Sequence, residues 1–309
     1  MNDPDKIFAP KADAFRCGET SDEDGNPVFH CKLMTSLTED FAFTFTTRER
    51  SIGVLLDGET ATTQEEDQPI AGEEEDVMDP FFFDPGYTLA ATTGFQIWAG
   101  TRMLVDCVMS PPLVAVNPGD VVIELGAGVG VVGTCWAAST GAHVILTDLA
   151  TLVQNAVIPN LRANNRSLQD SEPHSTADEE DNEARWVPIC QGQILPLALD
   201  WTKDIPERLQ QQTRLDWIIA SDCVWLRTML LSLLDTVQRL FTLHPNAAFL
   251  LSFQKRGNPS DDTMFTTPSS VYKEMIDRNW NVERLAWRPV NLSDGKQSEV
   301  YLWEVSLGR

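Results

Sequence analysis

Glu124-Leu-Gly126-Ala-Gly128-Val-Gly130 is the stretch of this sequence best suited to hold a small molecule. It follows a short apolar run, Val121 to Leu125, and precedes a small-residue stretch, Val131 to Ser139, the pattern of a strand running into a helix. Glycines at such a junction permit a tight turn and let the main chain approach a ligand closely. The open N–H groups of the following helix lie beside it. Two ligand classes compete. Gly128-Val-Gly130-Val-Val-Gly133 satisfies GxGxxG, a mark of nicotinamide and flavin dinucleotides. Against that class, the glycine run begins two residues earlier, directly after the strand, and Glu124 would set a carboxylate beside a diphosphate. S-adenosylmethionine has no phosphate, carries a sulfonium and an ammonium, and tolerates acids nearby. Asp148, at the end of the next apolar run (Ala142 to Asp148), is placed to take both ribose hydroxyls.

A second group of candidates lies further on. Asp222 follows the apolar strand Trp217 to Ala220, at the sheet edge where open α/β folds keep their chemistry. A cap for the leucine-rich helix from Leu226 onward is its other reading. Cys223 beside it has no histidine nearby in sequence and reads as buried filler. His30, His143, His174 and His244 are isolated from one another, and no metal-ligand cluster is evident.

The elements that must position these residues can be read from hydrophobic periodicity. Phe41, Phe43 and Phe45 alternate with small or polar residues, predicting a half-buried strand in a hairpin with His30 to Thr35. Gln96 to Met109 reads as a helix with Trp98, Arg102 and Val105 on one stripe, stopped by Pro111-Pro112. After the strand and helix around the glycines and the strand ending at Asp148, a helix is expected over about Leu152 to Asn164. Extended stretches follow at Trp186–Leu199, Leu215–Ala220 and Ala247–Phe253, with helices at Leu226–Phe241 and Ser269–Arg278. Val282–Trp287 and Glu299–Val305 are near enough to pair as an antiparallel hairpin. Alternating strands and helices from residue 120 predict a mostly parallel, doubly wound sheet. A plain dinucleotide-binding fold does not require the terminal hairpin.

With 309 residues and 42% hydrophobic content, the chain can bury a real core. The sequence shows neither a secretory signal nor an apolar run near the roughly 20 residues of a membrane helix. Six cysteines without a CxxC pair suit a reducing compartment, so cytosol or nucleus is expected. The net charge of −23 is concentrated: Glu59 to Asp79 holds nine acids and Asp170 to Glu183 seven, with no base in either. Both read as solvated insertions, a flexible linker over 58–84 and a surface loop over 168–184. They divide the chain into an N-terminal extension (1–57), the linker, and a ligand-binding domain (85–309). The acidity disfavours direct nucleic-acid binding and could steer a basic protein toward the chain.

Taken together, several marks resemble one family. Glu124-Leu-Gly-Ala-Gly-Val-Gly130 resembles the E-L-G-x-G-x-G first motif of class I methyltransferases. Thr93-Gly-Phe-Gln-Ile-Trp98, Asn160-x-x-x-Asn164, Leu199-Asp-Trp201 and Ser221-Asp-Cys-Val-Trp225 narrow the resemblance to the family 16 protein methyltransferases, the seven-strand lysine-directed group, across residues 90–305. The resemblance implies a Rossmann-like seven-strand sheet ending in an antiparallel hairpin, with S-adenosylmethionine as cofactor. It also implies that Trp98 packs near the cofactor's methionine end. Gly126, Ala127 and Gly128 contact it through backbone, Trp201 flanks the adenine, and Ser221 lies beneath it. Glu124 belongs to the same site, and Asp222 and Trp225 open the catalytic pocket. Relatives carry Tyr or Phe where this chain has Trp225. The expected function is methylation of a lysine on a protein by a monomeric enzyme. A methyltransferase-like protein that binds without catalysing is the alternative, with a nicotinamide oxidoreductase behind it.

Overall fold

Phe43 and Phe45 are buried while their neighbours Ala42, Thr44 and Thr46 are exposed, so this segment is a strand with one face against the core. A computed structural model of the protein describes residues 15–21, 27–35, 39–47, 93–109, 112–165, 185–255, 265–291 and 297–308. The two acidic segments, the expected linker over 58–84 and the expected loop over 168–184 lie outside them. The N-terminal sheet has three antiparallel strands, β1 (Phe15–Ser21), β2 (Pro27–Thr35) and β3 (Glu39–Thr46), in the order β1-β2-β3. The expected hairpin is β2–β3. Strand β1 has no signature in the sequence, because Phe15-Arg-Cys-Gly-Glu-Thr-Ser21 carries no sustained apolar alternation.

The second sheet follows from buried apolar runs joined through helices, which pair in parallel when both faces are covered. Its strands are β4 (Val121–Leu125), β5 (His143–Asp148), β6 (Val187–Ile189), β7 (Gly192–Ala198), β8 (Trp217–Ser221), β9 (Ala248–Gln254), β10 (Trp280–Asn291) and β11 (Gln297–Leu307). They lie in the order β10-β11-β9-β8-β4-β5-β7-β6. Neighbours from β9 through β7 are parallel, and the C-terminal hairpin joins antiparallel to β9. The expected seven strands are therefore present with an eighth at the edge. Trp186 to Leu199 reads as one extended stretch, but a turn at Cys190 (φ 48°) folds β6 back on β7.

Alternate residues of each strand face two separate cores. One holds Val122, Val144 and Leu146 with α1 (Ala99–Asp106), α2 (Val131–Thr140) and the buried faces of Phe43 and Phe45. The other holds Ile123, Leu125 and Ile145 with α6 (Arg227–Leu243) and α7 (Pro268–Asp277). A short α5 (Glu207–Gln210) borders the second core through Leu209. The helix expected over Leu152–Asn164 is continuous but irregular: α3 (Ala150–Leu152), a π turn (Val153–Val157) and α4 (Ile158–Asn164). Pro159 explains the π turn. It has no N–H for the carbonyl four residues back and its ring would crowd that carbonyl. Ile158 N–H accordingly bonds to Val153 O, five residues back.

In β10 the pairing register shifts between Arg284 and Ala286, a bulge that leaves Leu285 as an extra residue. Beyond it Arg288 reaches Asp106 of α1, with Nη1 2.8 Å from Oδ2, and both residues are buried. Burial raises the Asp106 pKa and lowers that of Arg288, each opposed by the attraction of its partner. Removing one member of such a pair leaves the other charge uncompensated. Arg288→Ala is therefore expected to cost about 3 kcal/mol in urea unfolding, the low end of the range for buried pairs, because Arg102 remains 3.6 Å from Asp106.

Candidate active site

The turn between β4 and α2 is built by the end of β5. Thr147 O accepts the N–H groups of both Gly126 and Ala127 at 3.0 Å, and Asp148 Oδ2 accepts that of Gly128 at 2.8 Å. Gly128 has φ +56°, and a β-carbon there would lie 2.6 Å from Gly94 O. Only glycine fits both conditions. Glu124, buried at the end of β4, accepts the N–H of Gly133 in the first turn of α2 at 2.8 Å.

Above this turn opens a cavity of about 500 Å³ at the carboxyl edge of the sheet. Its wall includes all ten sequence candidates: Trp98, Glu124, Gly126, Ala127, Gly128, Asp148, Trp201, Ser221, Asp222 and Trp225. Among the described residues lining it, the acids are Glu124, Asp148, Asp200 and Asp222; no Lys or Arg lines it. Such a wall suits a cationic ligand and repels a diphosphate. Trp201 lies against Gly126, and its buried indole Nε1 has no hydrogen-bond partner among the described residues. That N–H is a donor left for a ligand. The cradle of backbone at 126–128, the acid wall and the unpartnered indole donor of Trp201 fit S-adenosylmethionine.

The other end of the cavity is organised around Asp222. This residue adopts φ 55°, a left-handed conformation that non-glycine residues seldom hold without a compensating interaction. Here its carboxylate accepts two backbone N–H groups, from Gly100 at 2.5 Å and Gln254 at 2.8 Å. Gly100 is the second residue of α1, whose own N-cap residue, Trp98, offers no side-chain cap. Asp222 thus caps α1 from across the fold. A β-carbon at Gly100 would lie 2.5 Å from Asp222 Oδ2, so glycine is required by close approach. Trp98 itself precedes the helix in extended conformation rather than lying within it, its indole N–H donating to Thr93 O at 3.1 Å. Ser221 Oγ meets Thr101 Oγ1 of α1 at 3.1 Å. Trp225 stacks on Phe265, ring centroids 6.2 Å apart and planes 30° apart, and Thr266 N–H donates to Trp225 O.

Several residues of the site had no assigned role in the sequence. Gly94 and Gly100 sit in or next to the Thr93–Trp98 motif, and Asp200 sits between the motif letters of Leu199-Asp-Trp201, so a local signal existed. Phe265 has none: it reaches Trp225 through an isolated bridge between Leu226 and Phe265, residues distant in the chain. Cys223 is buried, its Sγ against Leu125 O and Ser221 O. Burial, with the charges of Asp148, Asp222 and Glu124, holds its thiol well above the usual range. No cluster among the described residues could hold a metal ion, and no described helix is long and apolar enough to cross a membrane.

A profile of the family described as lysine methyltransferase matches residues 89–270, more than half of the chain. The chain belongs to that family, and its cofactor is S-adenosylmethionine. No curated protein matches the sequence. Among solved structures, a cyclopropane-fatty-acyl-phospholipid synthase-like protein from Lactobacillus casei is 10% identical with a TM-score of 0.46, covering 67% of this chain and 90% of that one. Precorrin-6y C5,15-methyltransferase from Geobacter metallireducens is 12% identical with a TM-score of 0.41, covering 67% and 87%. TYW2 of P. horikoshii, solved in complex with MeSAdo, is 13% identical with a TM-score of 0.40; the match covers 71% of this chain and only 64% of that one.

The buried acids make stability depend on pH. Burial pushes the Glu124 carboxyl up to about 8, against the Gly133 hydrogen bond and with the help of the Asp148 charge. Burial likewise raises Asp148 to about 6, against its bonds from Gly128 and Leu149. Between the ordinary 4.5 and about 8 the folded protein keeps a proton on Glu124 that the unfolded chain gives up. Stability therefore falls as pH rises through that window. Glu124→Gln keeps an acceptor for Gly133 N–H without the ionisable group. Urea unfolding at pH 5 and pH 8 should show a smaller loss in the variant than in the natural protein.

Proposed function

We propose that the protein transfers a methyl group from S-adenosylmethionine to a lysine amine of a protein substrate. The observation that carries this reading is the cavity wall, which is lined by Asp148, Asp200 and Asp222 and by no Lys or Arg. A cationic cofactor and a cationic side chain can share such a space, which a dinucleotide cannot. S-adenosylmethionine, when bound, supplies a methyl group activated by a sulfonium, and an in-line displacement needs chiefly orientation from the protein.

The chain's own residues support the rest. Asp222 lines the cavity and is fixed there by two backbone N–H groups, which sets its carboxyl group where a substrate amine would approach. Because its carboxylate cannot swing away, it orients rather than chases the incoming nitrogen. An amine must be neutral to attack, and lysine has a reference pKa of about 10.4. Leu226, Met229 and the Trp225 ring line this end of the cavity and exclude water, which disfavours the ammonium form. Trp225, held by Phe265, offers a π-face to whatever cationic character remains. The natural substrate is proposed to be a basic protein, in keeping with the net charge of −23, and not a nucleic acid.

The test combines binding and transfer. Calorimetry should give heat with S-adenosylhomocysteine and none with NAD(P). Incubation of labelled S-adenosylmethionine with a native cell extract should label a protein band, with the label on lysine. Trp225→Ala should lower labelling about tenfold, the order of one desolvated cation–π contact, while leaving the affinity for S-adenosylhomocysteine nearly unchanged. Label on nucleic acid or lipid, or equal labelling by the variant, would overturn the lysine reading.

A further inference from the structure

Asn160 and Asn164 belong to a motif that the cavity does not account for. They lie four residues apart on α4, a rise of about 6 Å along a helix. Two residues of a strand span about 6.8 Å. The near match lets the two amides meet alternate peptide groups of β3. Asn164 Oδ1 accepts Thr44 N–H at 2.8 Å and its Nδ2 donates to Thr44 O at 2.7 Å. Asn160 Oδ1 accepts Thr46 N–H at 2.9 Å and its Nδ2 donates to Thr46 O at 3.4 Å. The pair covers the outer edge of β3 as a neighbouring strand would.

Asn160 does one thing more. The second hydrogen of its Nδ2 goes to Val129 O at 3.1 Å, inside the glycine turn, and Val129 lines the cavity. Asn160 is buried, so its amide has little choice of other partners. One side chain thus bonds both to the N-terminal sheet and to the turn that cradles the cofactor. Asn164 contacts the sheet and the Asn160 carbonyl, but not the turn.

We infer that Asn160 is a positioning residue for the cofactor turn, and that through it the N-terminal sheet and the cofactor site are energetically linked. The cofactor half of this statement rests on the reading of the cavity given above; the link between sheet and turn does not. By reciprocity, whatever steadies the turn also steadies β3, and the reverse.

Hydrogen exchange and calorimetry on the full chain test it. Without ligand, Asn160→Ala should speed exchange at the amides of residues 126–130 and at Thr44 and Thr46. Asn164→Ala should speed exchange at Thr44 and Thr46 while leaving residues 126–130 close to the natural rates. S-adenosylhomocysteine should bind Asn160→Ala about tenfold more weakly, the size of one lost buried hydrogen bond, and Asn164→Ala within about twofold of the natural protein. Should Asn160→Ala not fold, Asn160→Asp keeps the acceptor for Thr46 N–H and loses both donors, and the same pattern is expected. Unchanged exchange at 126–130 in the Asn160 variants, or equal loosening of that turn by Asn164→Ala, overturns the inference. If the natural protein gives no heat with S-adenosylhomocysteine but Asn160→Ala still loosens the turn, the cofactor reading falls and the link between sheet and turn stands.

Discussion

The end of β5 is what shapes the ligand turn. Three amides of the turn, at Gly126, Ala127 and Gly128, find their acceptors on Thr147 and Asp148 alone. The turn is therefore formed before any ligand arrives, which is the condition for binding without a large ordering cost. The arrangement forces two carboxyl groups, Glu124 and Asp148, into the interior within each other's field. Each is compensated by backbone N–H bonds rather than by a basic side chain. That choice keeps the cavity free of Lys and Arg, and so keeps it open to cations.

A second strut works on the same plan. Asp222 ends the β8 segment, caps α1 through Gly100 and holds β9 through Gln254. The strained backbone at Asp222 persists because its carboxyl group ties two elements, α1 and β9, to the end of β8. The reacting end of the cavity and the packing of α1 are one structure, and a substitution at Asp222 disturbs both. The rim at Trp225 is built separately, on the aromatic contact with Phe265.

The parts of the fold that could be read in the sequence were those whose cause is local. Buried parallel strands are short apolar runs, and β4, β5, β8 and β9 were found within a residue or two. The glycine turn and Asp148 were visible because one βαβ unit contains both. What escaped notice had causes distant in the chain. The helix at Ala99 starts three residues later than its apolar stripe suggests, because its cap is Asp222. The turn at Cys190 needs a left-handed backbone that no glycine announced, so β6 and β7 merged into one stretch. The Asn160 and Asn164 pair was recognisable as a motif, but its partners lie more than a hundred residues away on β3.

The bulge in β10 moves the strand's even-numbered residues from one core to the other. Before Leu285, the even-numbered Trp280 and Val282 pack with the helices α6 and α7; after it, Ala286 and Val290, again even-numbered, pack on the opposite side of the sheet. The single additional residue acts as a phase switch, and Arg288 meets Asp106 only because of it. Position 285 is thus a place where chain length, rather than side-chain identity, is under constraint. Losing that residue would turn the guanidinium out of its own core and toward the other, with nothing altered in the chemistry of any side chain.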